Sequence, residues 1–404
     1  MSPGLARGVT VSAATRRRVG GMWVGEKGGG GLAVQARELP WKRENLAREG
    51  GEKKDISLGP MEMLGAYTTL GLGGPAREFV EARTAEQLVS LVADADRKVV
   101  PTLILGGGSN LVVADEGFDG LVIRVATRGV TVKRDGGQAL VTVQAGEDWD
   151  PLVARAVEEG WSGIECLSGI PGLVGSTPIQ NVGAYGQEVA ETIRCVRAYD
   201  RKTRQVVDLE ARQCGFSYRD SAFKRDLSRH VVLGVTYALD LSEMSGKIAY
   251  KELAARLGVE LGESVPARRA REAVLELRRS KGMVLDPSDP DTRSAGSFFT
   301  NPILQPEAAA ELEARAPGHP RWEMPGGAVK VPAAWLIEQA GFPKGYQRGP
   351  VRISTKHTLA LTNPDGEGTT AALLALAREV RDGVREKFGV TLVNEPVLAG
   401  IDLL

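Results

Sequence analysis

The sequence predicts an α+β protein of two or three domains. Amphipathic helical stretches that carry their own cap residues alternate with short β-rich runs, and 404 residues is more chain than one core usually organises. The turn-rich string DPSDPDTRSAG at 286–296 then separates this first group of elements from a second α+β group.

Ordered signals begin near Tyr67. Thr84 and Gln87 have capping-box spacing, and Leu88, Leu91, Val92 and Ala95 fall on one face of the helix that follows. A β-rich run at 99–105 ends in Gly106, Gly107 and Gly108, and Ser109 and Asn110 lead into another apolar run through Val113. Further strands are predicted at 121–125, at 140–145, where Leu140, Thr142 and Gln144 alternate with Val141, Val143 and Ala145, and at 231–239. Between two of them lies a helix with Asp150 as cap, Pro151 in its first turn, Leu152, Val153, Ala156 and Val157 as its apolar stripe, and Gly160 as its stop. In the second group, helices are predicted at 332–340, closed by Gly341, and at 369–388, where Leu373, Leu376, Ala377, Val380 and Val384 repeat at helical spacing. There is no repeat of the solenoid or propeller kind.

Composition removes several classes of function. Lysine plus arginine equals aspartate plus glutamate at 51 each, so the chain as a whole offers no electrostatic footprint for nucleic acid, and a small specific ligand is expected. No run approaches the roughly 18 to 20 apolar residues that span a bilayer, and no signal-peptide core opens the chain, so a cytoplasmic protein without membrane insertion is expected. Cys166, Cys195 and Cys214 are odd in number and lack metal spacing, which predicts buried thiols, no disulfide framework and no metal site. Residues 1–60 differ from the rest: 11 basic and 6 acidic residues give them +5, with Arg16, Arg17 and Arg18 in sequence and glycine from Gly28 to Gly31. Residues 1–62 are read as a disordered extension whose removal leaves activity intact. A basic arm for anionic lipid or a partner is the functional alternative, and a true start near Met61 or Met63 is another.

Two glycine-rich strings draw the chemistry. LILGGGSNLVV at 103–113 places three glycines at a strand end, where backbone amides can form an anion-binding nest; a tight turn is the bland alternative. It lacks the helix of a GxGxxG fingerprint and the GK[ST] ending of a P-loop. SGIPGLVGSTPIQNVGAYGQE at 168–188 packs five glycines and two prolines around Ser176, Thr177, Gln180, Asn181 and Tyr185, as a loop wrapped around a large polar cofactor would, or as a structural Ω-loop. Three polar clusters stand in apolar surroundings: SYRDSAFKR with Arg219, AGSFFTNP with Ser297, and LVNEPVLAG with Glu395. Taken singly, an Arg219–Glu395 ion pair and a turn-capping Ser297 are the ordinary readings.

In this order the strings closely resemble the UDP-N-acetylenolpyruvoylglucosamine reductases, the MurB flavoenzymes of bacterial peptidoglycan synthesis, over about residues 65 to 404. The resemblance implies the FAD-binding fold of the vanillyl-alcohol oxidase (PCMH) type in two subdomains, at 63–125 and 126–282. A C-terminal α+β substrate-binding domain at 283–390 would follow, and then a strand segment at 391–404 that returns to the FAD-binding region with Glu395. It further implies non-covalent FAD lined by Leu105, Gly106, Gly107, Gly108, Ser109, Asn110, Gly169, Pro171, Gly172, Gly175, Ser176, Asn181, Gly183, Ala184 and Tyr185. The only histidines, His230, His319 and His357, lie outside both loops, in keeping with a flavin that is not covalently held.

The same resemblance makes Arg219, Ser297 and Glu395 the catalytic set, with NADPH as hydride donor and UDP-N-acetylglucosamine enolpyruvate as substrate. Arg219 and a protonated Glu395 would hold the charge of an enediolate, and Ser297 would protonate its carbon. Tyr218, Tyr250, Lys281, Asn301 and Gln339 fall at substrate-side positions, Tyr250 in the string GKIAYKEL where the type I members carry a mobile tyrosine. NADPH and sugar nucleotide would take turns in one cleft, with ping-pong kinetics and no obligatory protein partner. The first 60 residues and the long turn at 283–295 depart from the family pattern. The rival readings are a flavin oxidase of the same fold and a non-catalytic sugar-nucleotide binding module.

Overall fold

The structure, a computed structural model, describes residues 62–403; the N-terminal extension lies outside the described residues. Strand Phe118–Val125 is the centre of a three-stranded parallel sheet, flanked by Ala76–Ala82 and Thr102–Leu105. Helix Ala85–Lys98 makes the crossover between the outer two. Its cap is the one its sequence promised, since the Thr84 hydroxyl accepts from the Gln87 amide at 3.1 Å. The Gln87 side chain reaches one residue further back than a capping box requires, accepting from the Arg83 amide at 2.9 Å. The strand expected from residue 99 starts instead at Thr102: Val99 is the left-handed C-cap of the helix, with φ 56° and 86% of its surface exposed. Pro101 then separates the cap from the strand.

A larger antiparallel sheet follows, in the order Gln205–Glu210, Ile193–Asp200, His230–Leu241, Gln138–Gln144 and Val130–Asp135, with the short Trp161–Ser162 added to the end of the long central strand. In Gln138–Gln144 the buried residues are Ala139, Val141 and Val143, and Ala145 just beyond is buried too, so Val141, Val143 and Ala145 share the face the alternation assigned to them. Helix Trp149–Glu158 covers this core with Trp149, Leu152, Val153 and Ala156. Its cap position is Asp148, two residues before the expected one. Asp150 lies inside the first turn and turns outward, accepting from the Gly169 amide at 2.6 Å and from Arg271. One apolar cluster joins Leu88 and Val92 of the first helix and Ile123 of the parallel sheet to Val141, Val196 and Val235 of the antiparallel one.

Beyond residue 283, strands Ser294–Ser297, Ala360–Thr362, Val351–Ile353 and Gln347–Arg348 form an antiparallel sheet, beside a small sheet of Ile303–Leu304, Val329–Lys330 and Trp322–Glu323. Helices Ala333–Gln339 and Thr370–Phe388 cover them, burying Leu336, Ile337, Leu373, Leu376, Val380 and Val384 with Phe298 and Phe299. The longer helix is capped by the Thr369 hydroxyl and by Asp115, whose carboxylate accepts from the Thr370 and Ala371 amides at 2.7 and 2.8 Å. The chain then turns back, and Val397–Ala399 pairs in parallel with Leu111–Val113.

Among the described residues, three helices longer than a single turn carry no expectation from the sequence: Lys251–Leu257, Ala267–Ser280 and Pro306–Arg315. The second hides a face of Ala267, Ala270, Ala273 and Val274 among arginines, too small an apolar stripe to stand out. Cys166 and Cys214 are buried free thiols and burial raises both, Cys214 to about 12, whereas Cys195 is only half-buried. Among the described residues no helix is long and apolar enough to cross a membrane.

Candidate active site

The two glycine-rich strings meet face to face. A Cβ on Gly107 would lie 2.7 Å from the Gly172 Cα, one on Gly106 2.8 Å from the Ser176 Oγ, and one on Gly172 2.7 Å from the Ser109 Oγ. Glycine is therefore required here by the approach of one loop to the other. The Ser109 hydroxyl clasps the pair, donating to the Pro171 carbonyl at 3.0 Å. Gly169 and Gly175 are tied into the antiparallel half, through Asp150 and through the Ala145 carbonyl at 2.9 Å.

This cradle fits the cofactor that its sequence implies. No backbone amide from Gly106 to Asn110 donates to a described residue, and five consecutive free N–H groups at the end of Leu105 make a nest for a diphosphate. Two further residues of the long loop, Asn181 and Tyr185, adopt left-handed backbone with φ 47° and 49°, the kind of local strain that persists at ligand clamps. Buried Asn181 is fixed by Glu188 at 2.7 Å and by the Ser217 carbonyl at 3.0 Å. Gly183 and Ala184 form a short strand with Gln187 and Glu188.

The three reactive side chains arrive from three distant segments. Ser217 and Asp220 exchange backbone hydrogen bonds at 3.0 and 3.1 Å, which puts Tyr218 and Arg219 at the tip of a tight turn, Arg219 with φ 54°. Its guanidinium donates to the Gly183 carbonyl at 2.6 Å and its Nε lies 3.3 Å from Glu395 Oε1. Glu395 is held from both sides: its amide donates to the Phe298 carbonyl at 2.8 Å, and Asn110, itself bound to Gln180 at 2.6 Å, reaches its carbonyl at 3.5 Å. The bond to Phe298 places Glu395 against the residue that follows Ser297. Ser297 ends a strand whose register against Ala360–Thr362 slips at Gly296, φ 73°, and among the described residues nothing hydrogen-bonds its hydroxyl.

Electrostatics single out Glu395. Its side chain is 12% exposed, and burial pushes its carboxyl up while Arg219 and then Lys224 pull it down. The Tyr218 hydroxyl meets the Asn301 amide at 3.4 Å, and Asn301 also accepts the first amide of helix Ala333–Gln339 at 2.9 Å. Lys330 lies over the Tyr218 and Trp322 rings at 4.7 and 5.2 Å from their centroids. Nearby, Tyr185 and Tyr250 meet edge to face at 5.4 Å, and Lys281 lies 5.6 Å from the Tyr185 ring and pairs with Glu252. Burial raises both tyrosines, Tyr185 to about 12.

Gln339 is not brought into this group. It is an exposed residue at the end of its helix, where its carbonyl accepts from Lys387. The group that does face the basic residues is His357, which burial and then Lys281, Lys344 and Arg278 push down to about 4, so that it is neutral at pH 7. His357, Lys330 and Trp322 carried no sequence expectation at the site, each belonging to an ordinary-looking segment with no spacing to mark it, while Lys224 and Gln180 stand in strings the sequence marked without a role of their own.

Comparison with known proteins agrees with this geometry. Residues 76–208 match an FAD binding domain family, and residues 287–399 match the C-terminal domain of UDP-N-acetylenolpyruvoylglucosamine reductase. A protein of that name from Thermobifida fusca is 56% identical over 352 residues, covering 84% of this chain and 97% of its own. Another from Streptomyces coelicolor is 53% identical over 360 residues, covering 87% and 91%. The crystal structure of UDP-N-acetylenolpyruvylglucosamine reductase (MurB) from Thermus caldophilus is similar over 84% of this chain and 97% of that one, with TM-score 0.56 and 26% identity. A glycine cradle with free amides, a half-buried Arg–Glu pair set beside a serine, and identity above one half over most of both chains lead to one assignment: the chain belongs to the UDP-N-acetylenolpyruvoylglucosamine reductase family.

Proposed function

We propose that this chain reduces UDP-N-acetylglucosamine enolpyruvate to UDP-N-acetylmuramate at the expense of NADPH, with Arg219, Glu395 and Ser297 as its catalytic residues. The observation that carries the reading is the half-buried Arg219–Glu395 contact at 3.3 Å, joined by one backbone bond to the segment of Ser297. FAD, when bound, supplies the carrier that accepts hydride from NADPH and passes it to the enolpyruvyl group. Residues Leu105 to Asn110 and the loop from Gly169 to Tyr185 would hold it, the first by free amides and the second by its fixed turns.

Reduction of an enolpyruvyl ether at its terminal carbon leaves negative charge on the adjacent carbon and its carboxylate. Arg219 is always cationic and is already oriented by the Gly183 carbonyl, so it meets that charge without reorganising. Glu395, its carboxyl raised by burial, donates a hydrogen bond to the same oxygens in its protonated form. Ser297 gives its proton to the carbon. A serine is a weak acid, but an enediolate in a site closed to water is basic enough to take the proton. Lys281, Tyr250, Asn301 and Tyr218 gather where the diphosphate of a sugar nucleotide needs cations and hydroxyls.

The division into FAD-binding halves at 63–125 and 126–282, a substrate domain at 283–390 and a returning segment at 391–404 belongs to this reading, as do ping-pong kinetics and a cytoplasmic location. The test is an anaerobic absorbance trace of the flavin-loaded protein, reduced with NADPH and then mixed with the enolpyruvyl sugar nucleotide. Rapid reoxidation is the expected result. A protein that stays reduced until air is admitted is an oxidase, and one that purifies colourless and takes up no FAD is a binding module.

A further inference from the structure

The catalytic scheme leaves one charged side chain at the site without a task. Lys224, in the single helical turn Ala222–Arg225, is half-buried, and its ammonium makes one hydrogen bond, to the Arg219 carbonyl at 3.0 Å. Among the described residues no carboxylate oxygen comes within 4.0 Å of it. Glu395 and Asp220 act on it only from beyond contact distance; a cation drawn out of water without a carboxylate against it is costly, and a methionine or leucine there would fill the same space at less cost.

Its acceptor explains the retention. Arg219 holds a left-handed backbone, which a residue with a Cβ adopts only when its surroundings enforce it. Ser221 sets the geometry: its hydroxyl donates to the Ile179 carbonyl and accepts from the amides of Phe223 and Lys224 at 3.1 and 3.2 Å. That cap fixes the helical turn so that the Lys224 side chain folds back over the turn tip, five residues upstream. A charge-assisted bond to the Arg219 carbonyl resists rotation of its peptide, and with it any swing of the guanidinium away from Gly183 and Glu395.

We propose that Lys224 is a positioning residue of the enolpyruvyl half-reaction, one that locks the strained Arg219 backbone so that the guanidinium stays against Glu395. The inference rests on the reductase reading above. A second effect comes with the first. The charged and titratable groups around Glu395 are Arg219, Lys224 and the Tyr218 hydroxyl, with Lys330 beyond Arg219. Removing Lys224 takes away one of the two cations that oppose burial, so the Glu395 carboxyl moves up and keeps its proton to higher pH.

The experiment separates the half-reactions by anaerobic stopped flow on the full-length, flavin-loaded protein and its Lys224→Met, Lys224→Gln and Lys224→Arg variants. If the wild type itself is not reoxidised by the enolpyruvyl sugar nucleotide, the reductase reading fails and the positioning role falls with it. If it is, Lys224→Met lowers the reoxidation rate constant at saturating sugar by about 30-fold or more and flavin reduction by NADPH by less than about threefold. Lys224→Arg, which keeps both charge and donor, recovers to within about fivefold of wild type. Lys224→Gln, which keeps a donor alone, lies between them and shares with Lys224→Met an alkaline limb of the pH profile moved upward. Should Lys224→Met lose its flavin, the Gln and Arg variants carry the same comparison. Wild-type reoxidation with an unmoved pH limb in Lys224→Gln, or equal losses in both half-reactions in every variant, overturns the proposal.

Discussion

Ser297 is the member of the proposed catalytic set whose polar atom is left unengaged. Arg219 is committed to Gly183 and Glu395, while among the described residues no group binds the Ser297 hydroxyl. A proton donor that acts after hydride transfer needs that freedom. Ser297→Ala is therefore expected to be reduced by NADPH at a near-normal rate and to form product about 1,000-fold more slowly, as rapid-quench product assays would measure. Turnover within a few fold of wild type would remove the serine from the chemistry. Each of the three stands in a compact polar string inside apolar surroundings, but taken singly each string has an ordinary structural reading, and it was the order of the strings, through the family resemblance, that grouped them. The left-handed turn that aims Arg219 was not legible, since arginine at positive φ has no signature in one sequence. Gln339, an amide two residues from a helix-ending glycine, matched a substrate-side position by order along the chain, and the structure leaves it exposed at the end of its helix. In space the loop between Val351–Ile353 and Ala360–Thr362 brings His357 to the basic cluster instead.

At the scale of elements, alternation and caps located four helices and the strands at the centre of the first two sheets, while most short strands and the helices at 251–280 and 306–315 carried no pattern long enough to mark them. Val99 is a strand-former by type and a helix terminator by position, and the sequence around it does not say which claim wins. The hairpin of Ile193–Asp200 and Gln205–Glu210 turns on another residue that no pattern marked. Asp200 accepts from the Lys202 and Thr203 amides at 2.9 and 3.4 Å and from Arg229 at 2.9 Å, with its side chain 5% exposed. Arg229 first, and then these amides, hold its carboxyl at about 2 against the opposing effect of burial. A carboxyl depressed on folding stabilises the native state fully above its unfolded pKa near 3.8, and the contribution is lost as pH falls from there through about 2. Arg229 is 42% exposed, so solvent screening reduces the effect to about 1–2 kcal/mol. Asp200→Asn is expected to be less stable than wild type by that amount at pH 7 and indistinguishable from it near pH 2, by urea unfolding at both. His230, 3.8 Å from the same carboxylate, is protonated in both proteins at the acid end and drops out of the comparison. A difference that persists unchanged in acid would assign the effect to shape.

The whole molecule is closed by its last residues. Val397–Ala399 adds a strand to Leu111–Val113, directly after the free-amide nest, and Leu403 enters the apolar cluster of the C-terminal half while Ala399 enters that of the parallel sheet. Leu70, Leu72 and Val112, from the first half of the chain, are part of that same C-terminal cluster. The segment that delivers Glu395 is thus also the one that stitches the two halves of the chain beside the glycine loop. The sequence showed a carboxylate at the end of an apolar strand; pairing across nearly 300 residues was beyond any local pattern, because a three-residue strand carries too little periodicity to name its partner. Two changes separate chemistry from closure. Glu395→Ala keeps every backbone bond of the segment and removes the side-chain donor, so it is expected to retain FAD while losing reoxidation by the enolpyruvyl sugar nucleotide. Ending the chain after Asn394 removes Leu398, Ala399 and Leu403 from the clusters they fill and leaves Leu111–Val113 unpaired. By area this forfeits about 2–4 kcal/mol of apolar burial, enough to lower the melting temperature by several degrees. The truncated protein is expected to release FAD on gel filtration, because the nest at Gly106–Asn110 loses the strand that anchors its exit. Retention of stoichiometric flavin after truncation would show that the cradle holds its shape without the returning strand.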